Sequence, residues 1–268
     1  MSSSPLSSSS LSWRAMPAQA ALLERLHSFG RFLRRNPALV IGLILLAVLF
    51  LFAFIGALVT DPKDAQPLAA APLQKPSAEY PFGTDKLGRN LFATIAAGIP
   101  LTLRIGLFAG LLGLGIGALL GFVSAYYGGW ADNLIRGVVD VGLTVPGLMV
   151  LIILAISFSG SLNVNNMALI VAVLAWLYPA RIIRAQVLTL KQRPYVEVAR
   201  LTGMSGLEII FFELMPNLLP YLAASLVAAI SSAILASIGL EALGLGPIDS
   251  PTLGMTIYWV NYNAAIIN

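Results

Sequence analysis

Few residues of this chain could take part in covalent chemistry. The sequence contains no cysteine, which excludes thiolate catalysis, disulfide bonds and Cys-based metal sites. Its single histidine, His27, lies outside every apolar stretch, which excludes Ser–His and Cys–His nucleophiles within a membrane. No lysine follows a glycine, so the sequence has no phosphate-binding loop of the ATPase type. We therefore expect no catalytic residue, no metal site and no cofactor here, and any ATP that drives the protein must be bound by another chain.

The groups that could bind a partner are concentrated in residues 197–216, a polar stretch between two long apolar segments. Pro194 suits the first turn of a helix, where its missing N–H is not needed. Glu197 lies in the same turn, where the helix dipole favours a carboxylate, and Gly203 can end the helix in a left-handed conformation. The sequence therefore predicts a short helix at about 195–206 with one face available for docking. Four residues at three- and four-residue spacing share a face: Tyr195, Val198, Ala199 and Thr202.

The order Glu197, Ala199 and Gly203, followed by the Leu-Met-Pro of residues 214–216, resembles the EAA loop of ABC importer permeases. In that family the loop forms a coupling helix that fits a groove on an ATP-binding subunit. Val198 stands where a second alanine is usual, and an apolar side chain is expected to serve there. The resemblance implies a role in coupling to the ATPase for Tyr195, Val196, Glu197, Ala199, Arg200, Gly203, Met204 and Ser205.

A second motif narrows the resemblance to one subfamily. Residues 82–90, Phe-Gly-Thr-Asp-Lys-Leu-Gly-Arg-Asn, are similar to the GTDxLGRD motif that precedes the second helix in that subfamily, with Asn90 replacing the usual aspartate. Two roles are open for Asp85 and Arg89: contact with a binding protein, or pairing with each other to fix a turn, which we favour. The resemblance covers residues 30 to 260. Its extracytoplasmic motif residues are Gly83, Thr84, Asp85, Gly88 and Arg89.

The chain is thus similar to the C-type permease of dipeptide, oligopeptide and nickel ABC importers. The resemblance implies a permease that moves a di- or oligopeptide-like solute across a prokaryotic plasma membrane by alternating access. It also implies a homologous B-type permease, one or two ATPase subunits that bind ATP and Mg²⁺, an extracytoplasmic binding protein, and no nucleic acid as partner. Relatives also carry nickel, glutathione or oligosaccharides, so the substrate stays open.

The composition requires a membrane, because 58% of the residues are hydrophobic and 10% are charged, against about 25% charged in soluble domains. We expect an all-α, polytopic helix bundle of the type I ABC importer permease fold. An apolar run starts at residue 264, so a sixth span is expected beyond the five spans that the sequence predicts. The predicted parts are a disordered tail (1–20), an amphipathic interfacial helix (21–35) and a permease domain (36–268), with spans at about 36–60, 94–127, 134–157, 166–188 and 214–240.

The distribution of Lys and Arg places the N-terminus in the cytoplasm. With that orientation most of the 16 basic residues lie in cytoplasmic segments, including the predicted docking helix. The outer loops carry four basic residues, all of them in the loop between the first two spans: Lys63, Lys75, Lys86 and Arg89.

Two other classes of function would require residues of other types. A secondary carrier or channel that works without ATP would place ionisable relay residues deep in its helices, and the predicted second to fifth helices have almost none. An intramembrane enzyme would need an aspartate pair, a Ser–His pair or metal ligands, and Asp140 is the one acid near such a position. Asp140 is expected to pair with Arg136 one turn earlier. Pro100 and Pro146 are candidates to kink their helices.

Overall fold

A computed structural model describes residues 34–158 and 162–264, with the side chains of residues 263 and 264 left out. The predicted tail over 1–20 lies outside the described residues, as does all but the end of the interfacial helix predicted over 21–35. The chain divides into two units, residues 1–51 and residues 52–268. The described part of the first unit is residues 34–51, most of which belong to the beginning of helix α1 (Pro37–Val59), and the side chains there are mostly exposed.

The second unit contains the end of α1 and a series of helices that follow it. Within the described residues it has no β-strand, which confirms the predicted all-α class. Its helices are α2 (Leu91–Tyr127), α3 (Gly129–Thr144), α4 (Gly147–Ser157), α5 (Val164–Ala175), α6 (Leu177–Leu190), α7 (Pro194–Leu201), α8 (Met215–Glu241) and α9 (Leu253–Ala264). Shorter turns are a 3-10 helix at Pro62–Ala65, an α-turn at Gly206–Glu208 and a π-helical segment at Ile209–Leu214 that runs into α8.

Within the described ranges four helical stretches are long and apolar enough to cross a membrane, or five if α3 and α4 together form one broken span. The four stretches overlap the spans predicted at about 36–60, 94–127, 166–188 and 214–240. They are Pro37–Val59, Leu91–Tyr127, Val164–Leu190 and Gly206–Glu241.

The stretch predicted as one helix over about 134–157 differs, because it forms two helices that meet at 89°. The break lies at Val145, whose backbone is extended with φ −75° and ψ 134°. Val145 precedes Pro146, and a proline ring disfavours the helical conformation of the residue before it. The predicted kink at Pro146 is therefore a full break, whereas Pro100 lies inside the continuous helix α2.

Helix α2 is central to the second unit because its glycines let neighbouring helices approach closely. A Cβ atom added at Gly110 would lie 2.7 Å from the Cγ1 atom of Ile230 in α8. One added at Gly117 would lie 2.7 Å from the carbonyl oxygen of Trp176, which joins α5 to α6. Small residues at four-residue steps permit this kind of close packing between membrane helices. The glycine face of α2 thus positions both α6 and α8, the two helices that hold the loop with α7.

Candidate functional site

Helix α7 begins close to the predicted position but ends at Leu201, before the predicted limit of about 206. Pro194 occupies its first position after Arg193, which is extended, and Glu197 lies in its first turn. At the other end Gly203 has a φ of +84° and its N–H donates to the carbonyl of Arg200 at 3.1 Å. The N–H of Met204 donates to the carbonyl of Ala199 at 3.2 Å. This pair of hydrogen bonds is a Schellman motif, which satisfies carbonyls that the helix end leaves free.

One face of α7 is anchored in a core that joins three other helices. Val196 is fully buried and Ala199 is 5% exposed. Both pack in a cluster built from the facing ends of α2, α6 and α8 and from the π-helical segment. The other members of this α7 core are Phe122, Ala125, Ile183, Val187, Ile209, Ile210, Leu214 and Leu218. Because close-packed side chains transmit displacements, α7 is mechanically tied to three helices.

The opposite face of α7 is open. Val198 is 58% exposed and Leu201 is 83% exposed, and Glu197 and Arg200 lie beside them. Val198 and Ala199, which the spacing placed together on one face, lie on different faces, because Ala199 is buried with Val196 and Val198 is exposed. We call Glu197, Val198, Arg200 and Leu201 the outer face of α7. Sequence reasoning missed Leu201, although an apolar side chain within a polar stretch was a usable signal.

The residues assigned to coupling from the sequence fall into two groups. Val196 and Ala199 are buried, and Tyr195 and Met204 pack half-buried against the same α7 core. Burial raises the pKa of the Tyr195 hydroxyl, ahead of a smaller effect of Glu213, and within the described residues that hydroxyl has no hydrogen-bond partner. The exposed group is Glu197, Arg200, Gly203 and Ser205.

Polar contacts hold both ends of the loop around α7. The Nζ group of Lys191 donates to the carbonyl of Ala125 at 2.7 Å, which ties the end of α6 to α2. The guanidinium of Arg200 lies 5.5 Å from the ring centroid of Tyr126, within the range of a cation–π contact. Ser205 and Glu208 form a capping box, in which the backbone N–H of Ser205 donates to the Glu208 carboxylate at 2.6 Å.

An ion pair beside the α7 core was missed by sequence reasoning. Arg184 of α6 donates from Nη2 to Oδ2 of Asp132 in α3 at 2.6 Å, and the Ser124 hydroxyl of α2 donates to the same carboxylate. Fifty-two residues separate the two charges, so no local pattern reveals the pair. The predicted pair of Asp140 with Arg136 is not formed, since within the described residues the ion pairs are those of Asp132 and Asp85.

The Gly-Thr-Asp motif builds the loop between α1 and α2, residues 61–90. Thr84 donates its hydroxyl to the carbonyl of Ala71 at 2.7 Å and accepts from the N–H of Gln74 at 2.9 Å. Gly88 has a φ of +74°, and a Cβ atom there would lie 2.1 Å from the carbonyl oxygen of Ala70. Asn90 caps α2 by accepting from the N–H of Phe92 at 3.0 Å, a role that aspartate fills equally well. The motif thus determines the course of the loop.

Asp85 and Arg89 pair as the sequence predicts, with Nε of Arg89 3.0 Å from Oδ2 of Asp85. The Arg89 side chain is 4% exposed, and its guanidinium lies 4.4 Å from the ring centroid of Trp259 in α9. Burial lowers the pKa of Arg89, and Asp85 opposes that shift. Within the described residues the Nη2 atom of Arg89 and the indole N–H of Trp259 have no hydrogen-bond partner.

A buried glutamate, Glu241, ends α8, and no local pattern in the sequence predicts its contacts. Glu241 is fully buried, and its Oε2 atom accepts a hydrogen bond from the Thr252 hydroxyl at 2.6 Å. A Cβ atom at Gly254 would lie 2.3 Å from Oε2 of Glu241. The carboxyl group of Glu241 therefore lies against the first turn of α9.

Comparison with known proteins gives two family matches. Residues 113–267 match the model of a family described as "Binding-protein-dependent transport system inner membrane component". Residues 25–76 match the "N-terminal TM domain of oligopeptide transport permease C". Together the two matches cover both the first span and the loop that holds α7.

Several curated proteins are similar over most of the chain. The dipeptide transport system permease protein DppC of Alkalihalophilus pseudofirmus is 33% identical over 214 residues, which are 80% of this chain and 70% of that protein. The oligopeptide transport system permease protein OppC of Mycobacterium tuberculosis is 33% identical over 226 residues, 84% of this chain and 77% of that protein. The glutathione transport system permease protein GsiD of Pectobacterium atrosepticum is 35% identical over 221 residues, 81% and 71% of the two chains.

Proposed function

Since the chain belongs to the family of binding-protein-dependent transport system inner membrane components, and to its C-type permeases, we propose that it is the permease subunit through which an ATP-driven importer couples ATP hydrolysis to solute passage. Coupling takes place at the outer face of α7. The chain itself performs no covalent chemistry, and ATP and Mg²⁺ are bound by partner ATPase subunits.

The observation that carries this proposal is the two-sided character of α7. Its inner face is buried in the α7 core, which joins α2, α6 and α8, and its outer face presents Val198 and Leu201 to the surroundings. An exposed leucine flanked by Glu197 and Arg200 suits an apolar pocket with a polar rim on a partner protein. Movement of that partner would displace α7, and the α7 core would pass the displacement to three helices.

The outer face of α7 must lie on the side of the membrane where ATP is, which places the N-terminus in the cytoplasm. The excess of Lys and Arg in the segments on the α7 side supports this orientation. The loop at 61–90 then lies outside, where a substrate-binding protein would dock. Its rigid hydrogen-bonded course, fixed by Thr84 and Asp85, supports a role as a preformed surface.

The solute we propose is a di- or oligopeptide, because relatives named for dipeptide and oligopeptide transport are similar over most of the chain. A glutathione permease is similar to the same extent, and glutathione is itself a short peptide. The expected partners are a homologous B-type permease, one or two ATPase subunits and an extracytoplasmic binding protein.

The decisive experiment is purification of the transporter from native membranes through a tag on this chain. We expect ATPase subunits and vanadate-sensitive ATP hydrolysis in the eluate, and we expect Leu201→Asp to lose both while its level in the membrane stays normal. Leu68→Asp is the matched control, since Leu68 is an exposed leucine in the 61–90 loop. Retention of the ATPase by Leu201→Asp would contradict docking at the outer face of α7.

A further inference from the structure

Helix α8 joins the α7 core to the segment that starts α9. It begins beside Leu214 and Leu218, which are members of the α7 core, and ends at Glu241. It is continuous over 27 residues, or about 40 Å at 1.5 Å per residue, although Pro220 lies inside it. Because a continuous helix is stiff, a displacement of its α7 end is carried along the helix to Glu241.

The segment that starts α9 closes around the side chain of Glu241. The Thr252 hydroxyl donates to its Oε2 atom at 2.6 Å, and both residues are fully buried. A Cβ atom at Gly246 would lie 2.7 Å from the Cγ atom of Glu241, and one at Gly254 would collide with Oε2. The two glycines thus leave room for this side chain and little more.

The hydrogen bond between Glu241 and Thr252 fixes a point of contact between α8 and the start of α9. Within the described residues no other side chain of α8 forms a hydrogen bond with that segment. The ring of Tyr258 also packs against Gly244, just after α8, but packed surfaces can slide by small amounts. A buried hydrogen bond resists sliding, because breaking it leaves a buried acceptor unpaired.

Thr252 passes this contact to the first turn of α9. Its hydroxyl also accepts from the N–H of Met255 at 3.2 Å, so one hydroxyl joins Glu241 to the helix backbone. The N–H of Leu253 donates to the hydroxyl of Thr102 in α2 at 2.9 Å. The start of α9 is therefore held from α8 and from α2.

Helix α9 in turn contacts the 61–90 loop. Trp259 lies about two turns after Thr252, and its ring centroid is 4.4 Å from the guanidinium of Arg89. Arg89 pairs with Asp85, whose Oδ1 atom accepts from the N–H groups of Leu87 and Arg89, each at 2.9 Å. A shift of α9 therefore acts on the residue pair that holds this loop.

From these contacts we propose that Glu241 is a positioning residue that passes a displacement of α8 to α9 and so links the α7 side of the protein to the 61–90 loop. The inference rests on the proposed function, because the displacement begins at an ATPase subunit bound to the outer face of α7. Coupling between two sites is reciprocal, so a binding protein docked on the loop acts on the ATPase by the same contacts. The feature required at position 241 is an acceptor oxygen, which glutamine also offers.

The test measures hydrogen–deuterium exchange of residues 61–90 by mass spectrometry, in the transporter purified in detergent through a tag on the full chain. Exchange is compared between the nucleotide-free state and the state trapped with ATP, Mg²⁺ and vanadate. In the wild type we expect trapping to change the exchange rate in this loop about fivefold or more, the lower range of coupling between distant sites. Glu241→Leu keeps a side chain of similar size without the acceptor oxygens, and it should lose this change.

Four further variants separate the hydrogen bond from general stability. Thr252→Val removes the donor and should also lose the change, which keeps the test valid if Glu241→Leu fails to fold. Glu241→Gln and Thr252→Ser keep donor and acceptor and should respond like the wild type. The matched control is Thr256→Val, because the Thr256 hydroxyl is buried in α9 but donates within that helix segment, to the carbonyl of Thr252 at 2.8 Å.

The possible results distinguish this inference from the function on which it rests. A response to trapping in Glu241→Leu and Thr252→Val equal to that of the wild type would overturn the inference. So would faster exchange in both states with the difference between them retained, because that is the mark of a merely structural role. Vanadate-sensitive hydrolysis without any response of the wild-type loop would overturn the inference and leave the proposed function standing. Absence of ATPase subunits from the preparation would contradict both.

Discussion

Arg184 of α6 holds Asp132 of α3 through a fork of two hydrogen bonds, from Nε to Oδ1 at 2.5 Å and from Nη2 to Oδ2 at 2.6 Å. Ser124 of α2 donates its hydroxyl to the same carboxylate, so three helices meet there. Ser124 precedes Ala125 and Arg184 lies three residues before Val187, and both of those neighbours belong to the α7 core. The ion pair therefore fixes the helix ends on which α7 rests.

Loss of the Asp132 charge should destabilise the protein. Asp132→Asn leaves the half-buried Arg184 without a charged acceptor, and a hydrogen bond to a charged group contributes roughly 1.5–3 kcal/mol. We expect a lower melting temperature for the purified transporter in detergent. Asp140→Asn is the control, because Asp140 is exposed and forms no ion pair in the described part of the chain. Equal melting temperatures for the two variants would show that the fork contributes nothing measurable.

Two valines of α7 separate anchoring from docking. Val196→Ala removes two methyl groups from a fully buried side chain, which should cost about 2 kcal/mol and lower the melting temperature. Val198→Ala makes the same chemical change at a side chain that is 58% exposed, so stability should stay unchanged. We expect Val198→Ala instead to weaken binding of the ATPase subunits, measured as the amount retained in a tag purification. The opposite pattern would mean that the buried and docking faces have been assigned the wrong way round.

The end of α7 depends on Gly203. Its φ of +84° is a conformation that costs an alanine about 1–2 kcal/mol, and no atom lies within 4 Å of a Cβ placed there. Import rate and melting temperature should therefore fall in the order Gly, Asn, Ala, because asparagine tolerates the left-handed region better than alanine. Gly137→Ala in α3 is the control, since Gly137 also has open space around it and lies inside a helix. A Gly203→Ala variant as stable and active as the wild type would refute the role of the Schellman motif.

The course of the 61–90 loop depends on Gly88. Gly88→Ala combines a φ of +74° with a contact of 2.1 Å to the carbonyl oxygen of Ala70, a backbone atom that cannot move away cheaply. We expect the loop to open and to be cut faster by a protease added to the outer side of right-side-out vesicles. Gly115→Ala in α2, where nothing lies within 4 Å, should be cut at the wild-type rate. Equal cleavage of both variants would mean that the loop tolerates the methyl group added at Gly88.

Local signals in the sequence predicted the elements whose cause is local. Pro194 and Gly203 mark the ends of α7, since one suits a first turn and the other a left-handed cap. Pro146 marked a kink, but the 89° break could not be predicted, because its size depends on the packing of α3 against α2 and α6. The pairing of Asp85 with Arg89 was predictable at four-residue spacing.

The features that sequence reasoning missed arise from packing between distant segments. Whether Val196 or Val198 faces inward depends on where the α7 core lies, and α2, α6 and α8 determine that position together. The pair of Asp132 and Arg184 joins helices that are far apart in the chain. The burial of Glu241 could not be predicted, because it depends on the first turn of α9, which comes to lie beside the end of α8 only in the folded protein.

The contact between Arg89 and Trp259 sets an order of events during biosynthesis. Arg89 leaves the ribosome 170 residues before Trp259, an interval of roughly 10–30 s at ordinary translation rates. During that time the guanidinium of Arg89 can pair with Asp85 but cannot contact the indole ring. Leu253, whose N–H donates to the hydroxyl of Thr102, has not been synthesised either. The 61–90 loop and the adjoining end of α2 can therefore complete these contacts only after α9 has been synthesised. A nascent chain arrested before α9 would carry this loop in an incomplete state, open to the quality-control proteases of the membrane.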